Sequence, residues 1–83
     1  MFIVYSKPAC PFCDHAKALL ESKGLQYDVV NIDVGQPKDP AQKYISREEL
    51  LAKIPGVRTV PQIFRDDTLI GGFQELKQTL HAA

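Results

Sequence analysis

Two cysteines, Cys10 and Cys13, stand where the hydrophobic period of this chain changes. Before them, Phe2 to Tyr5 is an unbroken apolar run, the habit of a strand covered on both faces in the middle of a sheet. After them, from Pro11 to Lys23, Phe12, Ala16, Leu19 and Leu20 recur at helical spacing. Pro11 suits a first helical position, and Gly24 suits the residue just past the end. The cysteine pair therefore belongs to a strand-to-helix junction.

Strand habit returns from Tyr27 to Val34, with Val30, Ile32 and Val34 on one face and Asn31 and Asp33 on the other. Gly35, Pro37 and Pro40 then interrupt regular structure. Ser46 and Glu49 form a capping-box pattern ahead of Leu50, Leu51 and Ile54, so a second helix is expected there, beginning as early as Ala41 and ending before Pro55-Gly56. Val60 to Phe64 and Thr68 to Ile70 read as two strands of an antiparallel hairpin turning at Asp66-Asp67. Phe73, Leu76 and Leu80 close the chain with an amphipathic helix. The order is β-α-β-α-β-β-α, an α/β fold with a four-stranded mixed sheet and three helices, and its first strand-helix-strand unit should be parallel. At 83 residues, the whole of 1–83 is expected to form one domain with one modest core.

Ten basic and ten acidic residues cancel, which leaves no overall field to hold a polyanion and argues against a nucleic-acid partner. The apolar start ends at Ser6 and Lys7, too short for a signal-peptide core or a membrane span. Two cysteines in a single Cys-x-x-Cys point to chemistry rather than to scaffolding, and a redox pair of this kind is best placed in a reducing, cytoplasmic compartment.

At the mouth of the first helix, free backbone N–H groups and the positive end of the helix dipole favour thiolate over thiol at Cys10, and Lys7 adds a positive charge nearby. Cys13 lies one turn further in, in line with Ala16 and Leu20, where burial keeps its proton on. The asymmetry assigns the roles: Cys10 attacks a substrate disulfide, and Cys13 resolves the mixed disulfide. A zinc site completed by His15 and His81 is disfavoured, because zinc usually takes four ligands and His15 points away from Cys10 around the helix. No metal is expected, and both histidines read as solvated.

Thr59-Val60-Pro61 opens a strand with a residue that cannot donate a ladder hydrogen bond. A cis bond there would leave the backbone of Val60 able to pair with an extended, peptide-like substrate. Gly71-Gly72-Phe73 is either a tight turn or a place where a substrate carboxylate approaches bare N–H groups at a helix start. Phe12 fits both the apolar stripe of its helix and an exposed wall beside the cysteines.

Taken together, Lys7-x-x-Cys10-Pro11-Phe12-Cys13, Arg58-Thr59-Val60-Pro61-Gln62-Ile63-Phe64 and Gly71-Gly72-Phe73 resemble, in order and over nearly the whole chain, the three signatures of dithiol glutaredoxins. The resemblance implies a thioredoxin-like fold, a cis Pro61 facing the cysteines, and glutathione as co-substrate with no bound cofactor. It further implies that Val60 pairs with the glutathione cysteinyl backbone, that Lys7 and Arg58 lie near the glycyl carboxylate, and that Gly72, Phe73 and Gln74 hold the γ-glutamyl end. On this likeness Thr59 and Pro61 belong to the same site and Phe12 becomes its exposed wall. The implied activity is reduction of protein disulfides and glutathionylated proteins by a monomer. The short length and the Gly-Gly-Phe variant also look like the small phage-type branch, which donates electrons to ribonucleotide reductase. Other members of the superfamily imply rival readings, a thioredoxin-like donor recharged by a flavoprotein reductase or an iron-sulfur cluster carrier.

One departure from the pattern has a consequence. Many relatives carry Cys or Ser and then Asp or Ser after the paired glycines, where Phe73 and Gln74 stand here. A neutral Gln74 cannot pair with the γ-glutamyl ammonium as a carboxylate does. Gln74→Asp should lower the apparent KM for glutathione, and an unchanged KM in a glutathione-coupled assay would place the γ-glutamyl end elsewhere.

Overall fold

The computed structural model describes residues 1–81 in eight elements: β1 (Phe2–Ser6), α1 (Pro11–Ser22), β2 (Tyr27–Ile32), β3 (Lys43–Ile45), α2 (Arg47–Lys53), β4 (Gln62–Arg65), β5 (Thr68–Gly71) and α3 (Phe73–His81). The strands form one mixed sheet in the order β3-β2-β1-β4-β5. β1 is central, parallel to β2 with Val4 opposite Val29, and antiparallel to β4 with Val4 opposite Ile63.

Because side chains alternate along a strand, β1 feeds two separate cores. Phe2 and Val4 face α1 and α3 and pack with Ala16, Leu20, Ile63 and Leu76. Tyr5 faces the other way and joins Ile32, Ile45, Leu50 and Ile54, with Ile3 packed against that cluster. Two helices therefore cover one face of the sheet and α2 covers the other, which is why the β1 sequence is apolar without alternation.

The helix ends follow their local chemistry. Cys10 is the N-cap of α1, with Pro11 next to it. At the other end Gly24 takes φ +68° and its N–H reaches the Glu21 carbonyl at 3.0 Å, while the Leu25 N–H reaches Leu20 at 3.0 Å, a Schellman arrangement. Ser46 and Glu49 form both halves of the expected capping box on α2, at 3.0 and 3.3 Å. The hairpin also forms as expected, with Asp66 at φ +55° in its turn.

The sheet has five strands rather than the expected four. Lys43–Ile45 pairs parallel with β2, Ile32 opposite Ile45, and takes the stretch that a start of α2 near Ala41 would occupy, so α2 begins only after its Ser46 cap. Three residues between a proline-rich loop and a helix cap carry too little period-2 pattern to register as a strand; the open edge of β2 recruits them. β2 in turn stops at Ile32 rather than Val34, which is exposed. Asp33 Oδ1 accepts the Gly35 N–H at 3.0 Å and Gln36 Oε1 accepts the Val34 N–H at 2.8 Å, so side chains take over the backbone bonds that a longer strand would need.

Leu20, fully buried where α1 meets β1, is the test of this packing. Leu20→Ala should cost about 2–5 kcal/mol in urea unfolding; a loss well under about 1 kcal/mol would mean the helix does not seal that core.

Candidate functional site

The chain leaves β1 at Ser6 and must turn within Lys7-Pro8-Ala9 to enter α1. Ala9 makes that turn in the left-handed region, at φ +55°. Cys10 follows in extended conformation, φ −116°, and its sulfur accepts the Cys13 N–H at 3.2 Å. One of the amides that a helix start leaves unpaired is thus aimed at the Cys10 sulfur. The two cysteines form a disulfide, with Cα atoms 5.2 Å apart, inside the ordinary range for that bond.

The pair is less symmetric in space than a shared bond implies. Cys13 is inside the protein at 1% exposure, on the buried face of α1 one turn before Ala16, whereas Cys10 at 7% retains a solvent-facing edge. Cys10 is thus more enclosed than its expected role as an exposed nucleophile suggests, because the 58–61 segment packs over it. The Val60–Pro61 bond is cis, and the Val60 carbonyl oxygen lies 3.7 Å from Cys10 Sγ.

On the far side stand three aromatic rings. Phe12 is 56% exposed and its ring centre lies 6.2 Å from that of Phe73 at the start of α3. His15 meets both rings edge-on, at 5.9 Å from Phe12 and 5.7 Å from Phe73. Gly72 caps α3, its N–H held by Glu75 Oε1 at 2.9 Å. Gly71, at φ +124°, lies so close to Glu75 that an added Cβ would sit 2.9 Å from its Cγ, so this glycine is demanded by both conformation and space.

One end of the sheet therefore gathers the start of α1, the 58–61 segment and the start of α3. Lys7, Arg58, Thr59 and Val60 line one groove there, and Phe12 and Phe73 touch on the other side of the cysteines. Gln74 is exposed on the first turn of α3, and Pro61 is buried. Three participants escaped the sequence reading. The Ala9 conformation has no residue-type signal, since alanine rarely adopts it. His15 had one: it sits three residues after Phe12 and so shares its face. Arg47 reaches the groove from α2, a contact between elements far apart in the sequence. Asp33, at the end of β2, has its carboxyl held below the usual range by the Gly35 N–H and then by the Lys38 ammonium at 3.1 Å.

The family profile described as Glutaredoxin matches residues 2–70. The chain belongs to the glutaredoxin family. It is 44% identical over 73 residues to Glutaredoxin 3 of Escherichia coli, covering 88% of this chain and 77% of that one. Among solved structures it is similar to Glutaredoxin 1 from Francisella tularensis complexed with cacodylate, with a TM-score of 0.72, 34% identity, and coverage of 98% of this chain and 92% of that one. It also resembles a buckwheat glutaredoxin-glutathione complex, with a TM-score of 0.70, 28% identity, and coverage of 98% and 68%. This glutaredoxin therefore has the thioredoxin-like α/β fold with three helices, and a Cys-x-x-Cys pair that closes a disulfide. The family is one of thiol-disulfide oxidoreductases. No helix among the described residues is long and apolar enough to cross a membrane.

The left-handed Ala9 supplies a test of the junction that carries Cys10. Ala9→Gly relieves a steric cost of about 1–2 kcal/mol and returns part of it as unfolded-chain entropy. The oxidised protein should gain up to about 1 kcal/mol in thermal unfolding; a loss of stability would contradict the conformation at this turn.

Proposed function

We propose that this glutaredoxin is a glutathione-dependent oxidoreductase that reduces protein disulfides and glutathione mixed disulfides through Cys10-Pro11-Phe12-Cys13. The observation that carries the reading is the Cys10 sulfur: N-cap of α1, acceptor of the Cys13 N–H at 3.2 Å, and 3.7 Å from the Val60 carbonyl. In the reduced protein, the same amide and the helix dipole stabilise a thiolate at Cys10. Cys13, buried beside Ala16, keeps its proton until it is needed.

The thiolate attacks the nearer sulfur of a substrate disulfide, forming a Cys10 mixed disulfide and releasing the other sulfur as a thiolate that takes up a proton. With a protein disulfide, Cys13 then loses its proton, attacks Cys10 and releases the substrate thiol, leaving the Cys10–Cys13 disulfide. With a glutathionylated substrate, Cys10 takes the glutathionyl sulfur, and a second glutathione restores the thiolate with glutathione disulfide as product. Two glutathione molecules likewise return the Cys10–Cys13 disulfide to the dithiol.

Support for glutathione comes from Lys7 and Arg58 lining one groove with Thr59 and Val60, and from the glutathione held by the buckwheat relative. In this reading the cysteinyl backbone of glutathione pairs with Val60, its glycyl carboxylate faces Lys7 and Arg58, and its γ-glutamyl end lies at Gly72, Phe73 and Gln74. Phe12 walls the sulfur, and Pro61 and Thr59 hold Val60 in place. The protein acts as a cytoplasmic monomer, and ribonucleotide reductase is among the protein disulfides it serves.

The mutants grade the mechanism. Cys10→Ser should abolish turnover of both substrate kinds, while Cys13→Ser should retain reduction of a glutathione mixed disulfide and lose the protein-disulfide route. NADPH consumption through glutathione reductase reads both. Full activity in Cys10→Ser would overturn the assignment, and wild-type turnover only with a flavoprotein thioredoxin reductase would replace glutathione as the reductant.

A further inference from the structure

A second groove, separate from the one at Lys7 and Arg58, lies between α1 and α3. Its apolar lining is Leu19, Phe73 and Leu80, all half-buried against the core, and its polar lining is Lys23, Lys77 and His81. The volume is about 160 Å³. No carboxylate among the described residues lines it, and neither lysine has an ion-pair partner among them. Glu21, two positions before Lys23, is engaged by the Tyr27 hydroxyl. On a chain whose net charge is zero, this local excess of ammonium groups is created by folding.

One residue joins this groove to the reactive pair. Phe73 lines it and also sets its ring 6.2 Å from that of Phe12, which stands between the two cysteines in the chain. From Phe12 to Lys23, at roughly 1.5 Å per helical residue, the distance is about 16 Å. An extended chain covers that in about five residues, at roughly 3.3 Å each. The cavity is smaller than the roughly 300–1,000 Å³ of sites for whole small molecules, so it suits side chains of a polypeptide. Glutathione, as placed above, ends with its γ-glutamyl group at Phe73 and leaves Lys23 and Lys77 unused. That placement also sets a direction, because residues that precede the attacked cysteine lead toward Phe73.

From this geometry we infer that the α1–α3 groove docks the segment of a protein substrate that precedes its reactive cysteine, with an apolar side chain against Leu19 and Leu80 and acidic ones at Lys23 and Lys77. By the spans above, the apolar residue lies about three positions before that cysteine and the acidic ones about four and five. The inference rests on the proposed function for two things, attack by Cys10 and the direction of glutathione along the site. The chemistry is unchanged. Cys10 bonds one substrate sulfur, the other leaves as a thiolate and takes up a proton, and Cys13 gives up its proton and closes the Cys10–Cys13 disulfide as the second substrate thiol departs.

The test uses the fully reduced protein in single turnover against symmetric peptide disulfides, at peptide concentrations where the rate rises linearly. One peptide is Asp-Asp-Leu-Gly-Gly-Cys, the second has Ser in place of Leu, and the third, Cys-Gly-Gly-Leu-Asp-Asp, has the same composition in reverse. Wild type should reduce the first about tenfold faster than the third, the scale of one partly buried apolar side chain with two exposed charge contacts. The Ser peptide should fall between them. Lys23→Gln and Lys77→Gln change exposed residues outside the proposed glutathione contacts, and glutamine suits a helix about as well as lysine, so the double variant should fold. In it the advantage of the first peptide should shrink to about threefold or less, while turnover of a glutathione mixed disulfide stays within about twofold of wild type. Equal wild-type rates for the first and third peptides, or a preference that survives the double substitution, would overturn the groove assignment while glutathione turnover remains normal. A preference for the third peptide would overturn the direction. Loss of wild-type turnover on every disulfide, the glutathione mixed disulfide included, would instead sink the reading of Cys10 on which the inference stands.

Discussion

The burial of β1 on both faces is the constraint on which the rest of this glutaredoxin depends. A strand with Phe2 and Val4 in one core and Ile3 and Tyr5 against the other has to lie mid-sheet, so it needs neighbours on both edges and helices on both faces. Parallel pairing with β2 obliges the chain to cross over the sheet, and α1 is that crossover. Its start must then lie just beyond the C-terminal end of β1, which puts Cys10 at the junction of the two elements. The reactive pair is positioned by the same packing that stabilises the domain.

The two cysteines show how one helix turn yields two different thiols. Cys10 occupies the cap, where the backbone has unpaired N–H groups and the Cys13 amide points at its sulfur. Cys13 falls on the face carrying Ala16 and Leu20 and is buried with them. Neither difference requires a distant charge. The 58–61 segment adds the second side of the site, setting the Val60 carbonyl against the Cys10 sulfur, and the start of α3 brings Phe73 to Phe12. Three segments remote in sequence meet because their strands are adjacent, β1 beside β4 and β4 beside β5.

Different parts of the surface around the cysteines are suited to different tasks. The Phe12, His15 and Phe73 rings form an aromatic cluster in which His15 stands edge-on to both phenylalanines. The opposite groove carries Lys7, Arg47 and Arg58 over an apolar floor. Positive charge is thus gathered on one side of the sulfur and aromatic surface on the other.

Much of this was legible in the residues. The apolar β1 run, the α1 stripe with Pro11 and Gly24 at its ends, the Ser46–Glu49 capping box and the hairpin at Asp66-Asp67 are local patterns, decided by side-chain period and backbone preference within a few positions. The Cys-x-x-Cys at a helix start, with Thr59-Val60-Pro61 and the paired glycines downstream, likewise pointed to a candidate site through residue type and order. What tertiary structure alone decided are the features whose cause lies across space. β3 is a strand because the edge of β2 lies beside Lys43–Ile45, not because three residues insist on it. Val34 is exposed because side chains of Asp33 and Gln36 end β2 early. Ala9 adopts its left-handed turn because the β1–α1 junction requires it, and Arg47 joins Lys7 and Arg58 at one groove because α2 packs over the end of the sheet. Sequence records preferences along the chain, while these outcomes are imposed by neighbours that only the folded sheet brings within reach.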